Sequence, residues 1–200
     1  MYMLSNHQPP IRLLAIGGST RVTSRSLQAM RAILATAPDH GLDVEIASVH
    51  DLALPVYNDD IPLDEQPASL RRLIEQVAGA DAYLICSPTY HGSMSGAIKN
   101  VLDSLHIVQG QPGSNFDGKP VALGAYGGPT AINVVNTLQT VVRGMRGTLV
   151  PTVVTVARDA FDPDTGTIAD AQTVKRADAM LGEIATFVAM RRAHEAIALI

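Results

Sequence analysis

Short apolar runs alternate along the chain with stretches of helical periodicity. Leu13 to Ile16 form a continuous apolar run, which is typical of a strand buried on both faces. A polar loop follows, and apolar residues then recur at spacings of three and four, which predicts a helix over Ser24–Ala37. Similar runs predict four more strands, at Leu42–Ser48, Ala80–Cys86, Pro120–Tyr126 and Leu149–Val156. Further helices are predicted around residues 70–77 and 98–105, over Ala131–Met145, and from near Gln172 onward.

Five strands that alternate with helices predict an α/β protein with one parallel sheet and right-handed crossovers. We expect a flavodoxin-like three-layer sandwich, with strand order 2-1-3-4-5 and helices on both faces. Residues 1–10 are expected to be a flexible arm, and residues 11–200 a single domain. Ligands of such folds bind at the carboxyl ends of the strands, beside the point between strands 1 and 3 where the strand order reverses.

Composition narrows the classes of partner. The 15 basic residues against 19 acidic ones give a net charge of −4, and their scatter leaves no footprint for nucleic acid. The single cysteine, Cys86, excludes an internal disulfide and a multi-cysteine metal site, so we expect no metal. No apolar stretch is long enough for a membrane span, and the first residues lack the features of a signal peptide, so a cytoplasmic location is expected.

Three polar, glycine-bearing loops follow strands 1, 3 and 4, at residues 17–24, 87–93 and 126–129. The first joins glycines and hydroxyls to the start of a helix, where unpaired N–H groups favour an anion. Its candidate phosphate contacts are Ser19, Arg21, Ser24 and Ser26. The loop lacks both the P-loop and the dinucleotide fingerprint. The alternative is an ordinary helix start with Ser24 as its cap.

The other two loops suit a flat heterocycle. Tyr90 can stack on a ring, Gly92 leaves room for one, and backbone N–H groups can bond to ring atoms. Tyr126, Gly127 and Gly128 have the same character. A phosphate site combined with a site for a flat ring suggests FMN. The alternative for Tyr90 is a loop aromatic that is merely partly buried.

At these residues the chain resembles the NADPH-dependent FMN reductase family. The pattern Gly18-Ser19-x-Arg21-x-x-Ser24 is similar to the family's G-S-x-R-x-x-S loop. The stretch from Ser87 to Asp103 is similar to S-P-E-Y-N-x-S-x-P-G-x-L-K-N-x-x-D, and the resemblance covers residues 11–156 well. The chain departs from this pattern in having Thr89 for Glu, His91 for Asn and Ser95 for Pro. The second motif implies flavin contacts from Pro88, Thr89, Tyr90, His91, Gly92 and Ser93.

The resemblance implies an NAD(P)H-dependent oxidoreductase with FMN and NADPH as cofactors. A hydride passes from nicotinamide to the flavin, and electrons then pass to free flavin or a quinone, with no catalytic side chain needed. A flavin-dependent monooxygenase is a possible receiver of reduced FMN. The alternatives are a non-enzymatic flavodoxin-type electron carrier and an NAD(P)H quinone or azo reductase.

Two hydrolytic alternatives have the same fold class. A low-molecular-weight phosphatase needs a nucleophilic cysteine in the first loop, whereas Cys86 ends strand 3. A lipase-like hydrolase could combine Ser19 with the Asp103–His106 pair, although that pair lies in the helix after strand 3.

An apolar stripe on the predicted helix Ala131–Met145 suggests self-association. Its members are Val134, Val135, Leu138, Val141, Val142 and Met145, with Ile132 off the stripe. The next apolar surfaces are those of the helix at 98–105 and of the tail Ala196–Ile200. A homodimer, or a homotetramer built from it, would cover this excess. The alternative is that the stripe is simply core.

Overall fold

The computed structural model describes residues 9–111, 114 and 116–198, so most of the predicted N-terminal arm lies outside the described residues. A central sheet contains five long parallel strands, at β1 Ile11–Gly17, β2 Leu42–Ser48, β3 Ala82–Tyr90, β4 Pro120–Gly127 and β5 Thr148–Ala157. Their order is β2-β1-β3-β4-β5. The predicted flavodoxin-like strand order is therefore confirmed.

Helices cover both faces of this sheet. The long ones are α1 Arg25–Ile33, α2 Ala68–Gly79, α3 Gly96–Ser104, α4 Ala131–Gly144 and α5 Ala171–Ala198. Short helical turns occur at Val49–Leu52, Ala37–His40, Leu63–Glu65 and Leu105–Val108. In the described part of the chain, no helix combines the length and apolar character that crossing a bilayer requires. α1 ends at Ile33, before the predicted Ala37, and Ala37 instead begins a short 3₁₀ helix that has Pro38 in its first turn.

Two buried layers explain why β1 is apolar from Leu13 onward. Leu14 and Ile16 face the layer under α2, α3 and α4, whereas Leu13 and Ala15 face the layer under α1 and α5. All four side chains are at most 1 % exposed. Full burial of one such leucine contributes about 1.5–3 kcal/mol. Because the side chains of such a strand are buried and apolar, the polar residues that could bind a ligand lie just beyond its end.

The apolar stripe on α4 packs inside the chain. Val134, Val135, Leu138 and Val142 are buried in the layer between α4 and the sheet. The same layer holds the apolar side chains of α3. These stripes are therefore core, as the alternative interpretation had it, and self-association itself stays a prediction. The apolar tail lies partly outside the described residues.

A cluster around Asp81 closes the amino edge of the sheet. The Asp81 carboxylate accepts from the backbone N–H of Arg12 at 2.9 Å and from the Arg192 guanidinium at 3.0 Å. Arg192 also donates to the carbonyl of Pro9 at 3.0 Å. The last part of α5 is thereby tied to the starts of β1 and β3. The loops at the carboxyl ends of the strands lie at the opposite edge.

β3 is longer than the predicted strand, which ended at Cys86. Its pairing with β1 stops at Gly17 and Cys86, but Ser87 and Pro88 continue to pair with β4. Thr89 and Tyr90 then pair with a short antiparallel strand, Ser93–Met94. The prediction of a loop over residues 87–93 was therefore wrong for all but its turn. The predicted loop 157–171 likewise contains a small hairpin, Phe161–Asp162 with Thr167–Ile168.

Candidate functional site

A cavity of about 520 Å³ opens at the carboxyl edge of the sheet, where β1 and β3 separate. Residues from all three predicted loops line it. The predicted members are Ser19, Arg21, Ser26, Pro88, Thr89, Tyr90 and Tyr126. Sequence reasoning did not include Thr23, Arg25, Gln28, Arg158 and Pro163, which also line the cavity.

The turn from β1 into α1 depends on two glycines. A Cβ at Gly17 would lie 2.4 Å from the Met30 sulfur, so the helix can approach the strand only because this residue has no side chain. Gly18 has a φ of +96°, a region that glycine adopts at little cost. From the segment after β2, the His50 ring bonds to the carbonyl of Thr20 at 3.0 Å. The loop is therefore fixed at both of its ends.

Three serine hydroxyls form a buried chain beneath this loop. The Ser19 hydroxyl donates to Ser24 at 3.0 Å, and the Leu27 N–H donates to the same Ser24 oxygen at 3.2 Å. Ser24 thus caps α1 and uses both of its lone pairs. Its own proton must then go to the Ser26 oxygen, which is 3.0 Å away. The Ser26 proton is left free to donate to a ligand in the cavity.

The charged side chains in the described lining of the cavity are all positive. Arg21, Arg25 and Arg158 line it, and its described lining includes no carboxylate. All three side chains are exposed. Within the described ranges, the ion pairs found do not involve any of them. Unpaired guanidinium groups beside buried hydroxyl donors suit a phosphate.

One acceptor in the wall of the cavity lacks a partner. The side-chain oxygen of Gln28 is buried and has no hydrogen-bond partner among the described residues. A buried polar atom without a partner is costly, and a ligand hydroxyl would satisfy it. FMN carries a phosphate, a chain of hydroxyls and a flat ring. The Ser26 donor, the Gln28 acceptor and the two arginines of the first loop and α1, Arg21 and Arg25, therefore fit this cofactor.

The second predicted loop is a two-residue turn at the tip of β3. His91 and Gly92 have φ values of +50° and +75°, as in the tight hairpin turns that glycine and similar residues favour. Tyr90 is 48 % exposed and lines the cavity, whereas His91 is exposed and outside its lining. Ser93 pairs with Tyr90 across the turn. The turn thus holds Tyr90 at the rim and directs the chain back towards α3.

The ends of β3 and β4 meet at Thr89 and Gly127. The Thr89 hydroxyl donates to the carbonyl of Tyr126 at 3.3 Å. A Cβ at Gly127 would lie 2.4 Å from that hydroxyl oxygen, so Thr89 explains why residue 127 is glycine. Tyr126 is 8 % exposed, and its ring packs edge-on against Phe161. Gly127 and Gly128 line a neighbouring groove rather than the cavity itself.

The cavity-lining residues that were not predicted from the sequence fall into two groups, those with a local sequence signal and those without one. Thr23 and Arg25 flank Ser24 in the same polar loop, and Gln28 follows one helical turn later. Their proximity to Ser24 was a usable signal. Arg158 and Pro163 lie beyond β5, in a stretch with no recognisable motif. They reach the cavity only because β5 pairs with β4.

The described residues do not bring together the catalytic groups that either hydrolytic alternative needs. Cys86 is fully buried, and this burial raises the pKa of its thiol to about 12, so it is no nucleophile at neutral pH. Ser19 and His106 line separate cavities, and Asp103 pairs with Lys99 at 2.6 Å. Among the described residues, no group of three or more His, Cys, Asp or Glu side chains could hold a metal.

Fold and site together describe a flavodoxin-like α/β protein with a cavity at its strand-order reversal whose lining suits a phosphorylated ligand. The sequence matches the NADPH-dependent FMN reductase family over residues 11–161. The chain belongs to this family. The predicted family is thereby confirmed, and with it the class of flavin-dependent oxidoreductase and the cofactors FMN and NADPH.

Known proteins agree with this assignment. The chain is 36% identical to an NAD(P)H-dependent FMN reductase of Pseudomonas aeruginosa over 119 residues, which cover 59% of this chain and 61% of that protein. It is 32% identical to an FMN-dependent NADPH-azoreductase of Staphylococcus saprophyticus over 185 residues, covering 88% and 94% of the two chains. The solved structure of the flavoenzyme NAD(P)H:(acceptor) oxidoreductase FerB from Paracoccus denitrificans has the same fold. Its TM-score is 0.73 at 24% identity, over 90% of this chain and 98% of that one.

Proposed function

We propose that the cavity binds FMN and that the chain reduces it with NAD(P)H. The observation that carries this proposal is the free donor of the buried Ser26 hydroxyl, in a cavity whose described lining contains arginines and no carboxylate. In this proposal Arg21 and Ser26 hold the phosphate, whereas Ser19, whose hydroxyl proton goes to Ser24, also lines the cavity without donating to the phosphate. Ser24 supports them by capping α1 and by accepting the Ser19 proton.

The ring of FMN is assigned to the opposite side of the cavity. Pro88, Thr89 and Tyr90 supply one wall there and Tyr126 another, and Gly127 and Gly128 border it. The turn formed by His91, Gly92 and Ser93 is proposed to contact the ring edge. FMN, when bound, accepts a hydride and passes electrons on. The side chains hold and orient it, and none is proposed to transfer a proton.

The electron acceptor is proposed to be a small molecule, either free flavin or a quinone. An azo compound is a second candidate, supported by the azoreductase relative that is matched over 94% of its length. Steady-state rates with FMN, a quinone and an azo dye, each with NADPH and then NADH, rank these acceptors. An electron carrier would show no NADPH oxidation by itself.

Residues 11–200 are proposed to form one FMN-binding domain and to act as a homodimer or homotetramer. Since the stripe on α4 is core, the support that remains for self-association is the apolar sequence of the tail Ala196–Ile200. Light scattering that finds only a 21.2 kDa species would reject it. Transfer of reduced FMN to a monooxygenase and a cytoplasmic location remain predictions.

Arg21→Ala tests the orientation of FMN. If Arg21 contacts the phosphate, the variant binds FMN more weakly and binds riboflavin, which has no phosphate, almost as before. A charge-assisted contact contributes roughly 1.5–3 kcal/mol, or about one to two orders of magnitude in affinity. Flavin fluorescence measures both affinities.

The matched control for this experiment is Arg31→Ala. Arg31 lies on the same helix α1, in its last turn, and is exposed outside the cavity. It is expected to leave both affinities unchanged. Equal losses for FMN and riboflavin in Arg21→Ala would contradict the placement of the phosphate.

A further inference from the structure

A second groove, of about 510 Å³, adjoins the cavity. It lies between residues 127–132, which lead from β4 into α4, and residues 155–159 at the end of β5. Arg158 lines both the groove and the cavity. The two spaces therefore adjoin at Arg158, which both of them share as a lining residue.

Each space alone has the size of a site for one small molecule. FMN accounts for the cavity, which leaves the groove for a second ligand. NADPH must bring its nicotinamide to the flavin, so its other end lies outside the cavity. We propose that the groove binds the adenosine half of NADPH and that Arg158 pairs with the 2′-phosphate. This inference rests on the proposed function.

The lining of the groove supports this occupant. Pro129 and Ile132 give it an apolar wall, and Ile132 is 47 % exposed because it lies off the core stripe of α4. Apolar walls of this kind suit a flat purine. The charged groups of the described lining are Arg158 and Asp159, which are neighbours in sequence. A guanidinium favours a 2′-phosphate, whereas a carboxylate accepts from a free ribose 2′-hydroxyl.

Arg158 is held in place by its backbone and not by its side chain. Its N–H donates to the carbonyl of Gly127 at 3.1 Å. Its side chain is exposed and is not part of any ion pair found within the described ranges. A substitution at this position keeps the backbone bond, so Arg158→Ala is expected to fold. The guanidinium remains available for an anion that arrives with the second substrate.

The first test compares NADPH with NADH on the FMN-loaded enzyme. Arg158→Ala is expected to lower kcat/KM for NADPH roughly ten- to hundredfold, the value of one charge-assisted contact, and to leave NADH nearly unchanged. Arg158→Lys should retain part of the preference because it keeps the charge. Asp159→Asn should act in the opposite direction. It should raise kcat/KM for NADPH, because the carboxylate no longer repels the 2′-phosphate, and it should lower kcat/KM for NADH. Equal losses for the two nucleotides in Arg158→Ala would overturn the proposal.

The second test measures binding without turnover. Calorimetry of the FMN-loaded protein with adenosine 2′,5′-bisphosphate and with adenosine 5′-monophosphate reports on the groove, because FMN already fills the cavity. The bisphosphate is expected to bind more tightly to the wild type, and Arg158→Ala should remove that difference. Unchanged bisphosphate binding in the variant would refute the role of Arg158.

FMN affinity, measured by flavin fluorescence, separates this proposal from the proposed function. Arg158→Ala is expected to retain FMN. A variant that loses FMN while keeping its NADPH preference would assign Arg158 to the flavin and would also overturn the proposal. Failure of the wild type itself to bind FMN would refute the proposed function instead, whatever the adenosine nucleotides do.

Discussion

Gly127→Ala is the sharpest probe of the junction between β3 and β4. The new Cβ would lie 2.4 Å from the Thr89 hydroxyl oxygen and 2.7 Å from the Thr89 Cβ. Ordinary contacts begin near 3.4 Å, so one of the two strand ends must move by about 1 Å. Overpacking of this kind costs about 1–3 kcal/mol. We expect the free energy of unfolding, measured with urea, to fall by that amount.

The loss should be relieved by a second substitution. In Gly127→Ala combined with Thr89→Gly, the nearest remaining atom is the Thr89 Cα at 3.7 Å, an ordinary contact. Thr89→Gly alone loses the bond to Tyr126 and adds backbone freedom, together about 1–2.5 kcal/mol. The double variant should therefore be more stable than the sum of the two single losses predicts, by about 1–3 kcal/mol.

The flavin provides a second readout of Gly127→Ala. Thr89 lines the cavity on the side assigned to the ring. Displacement of Thr89 should weaken the binding of FMN and of riboflavin equally. Arg21→Ala, by contrast, should weaken the binding of FMN and leave that of riboflavin almost unchanged. Gly128→Ala is the control, because a Cβ there would meet no atom within 4 Å. If Gly127→Ala unfolds like the wild type, or if the two substitutions prove additive, the explanation of Gly127 by Thr89 is wrong.

Two further outcomes concern Cys86 and His91. Because burial raises the Cys86 pKa from 9.0 to about 12, the folded state binds more protons than the unfolded state above pH 9, and stability should fall as the pH rises. Cys86→Ala should remove up to about 1.4 kcal/mol per pH unit of that slope in urea unfolding, and equal slopes would refute the burial argument. His91→Asn keeps a residue type that tolerates the φ of +50°, so stability should stay within about 0.5 kcal/mol. If His91 touches the ring edge, turnover should change with at least one acceptor, and unchanged turnover with all of them would remove it from the site.

The sheet was largely predictable because its strands carry local signals. β2 matches its predicted bounds residue for residue, since its alternation of apolar and polar residues needs no knowledge of the neighbours. The predicted third strand ended too early, at Cys86, because Ser87 and Pro88 in isolation are typical of a loop. Their strand conformation comes from pairing with β4, beyond the point where β1 ends, where a residue without an N–H is tolerated.

The site was predictable only where its parts adjoin in sequence. Ser19, Arg21 and Ser26 were predicted from one loop. Which serine caps the helix and which keeps a free donor depends on interatomic distances, and a sequence pattern does not contain these. The prediction treated Gly127 as room for a ligand, whereas its closest neighbour is Thr89. Arg158 had no local signal, because its role depends on where the last strand of the sheet lies.

The cluster at Asp81 has a practical consequence for handling the protein. Since Arg192 bonds to the carbonyl of Pro9, Pro9 and the last part of α5 lie on the same side of the sheet. That side is the amino edge, and the cavity opens at the carboxyl edge. A fused partner, an affinity tag or a tether to an electrode can therefore be joined at either position while the cavity faces away from it. The same proximity makes the chain suited to circular permutation, with a short linker bridging the two sides of this contact.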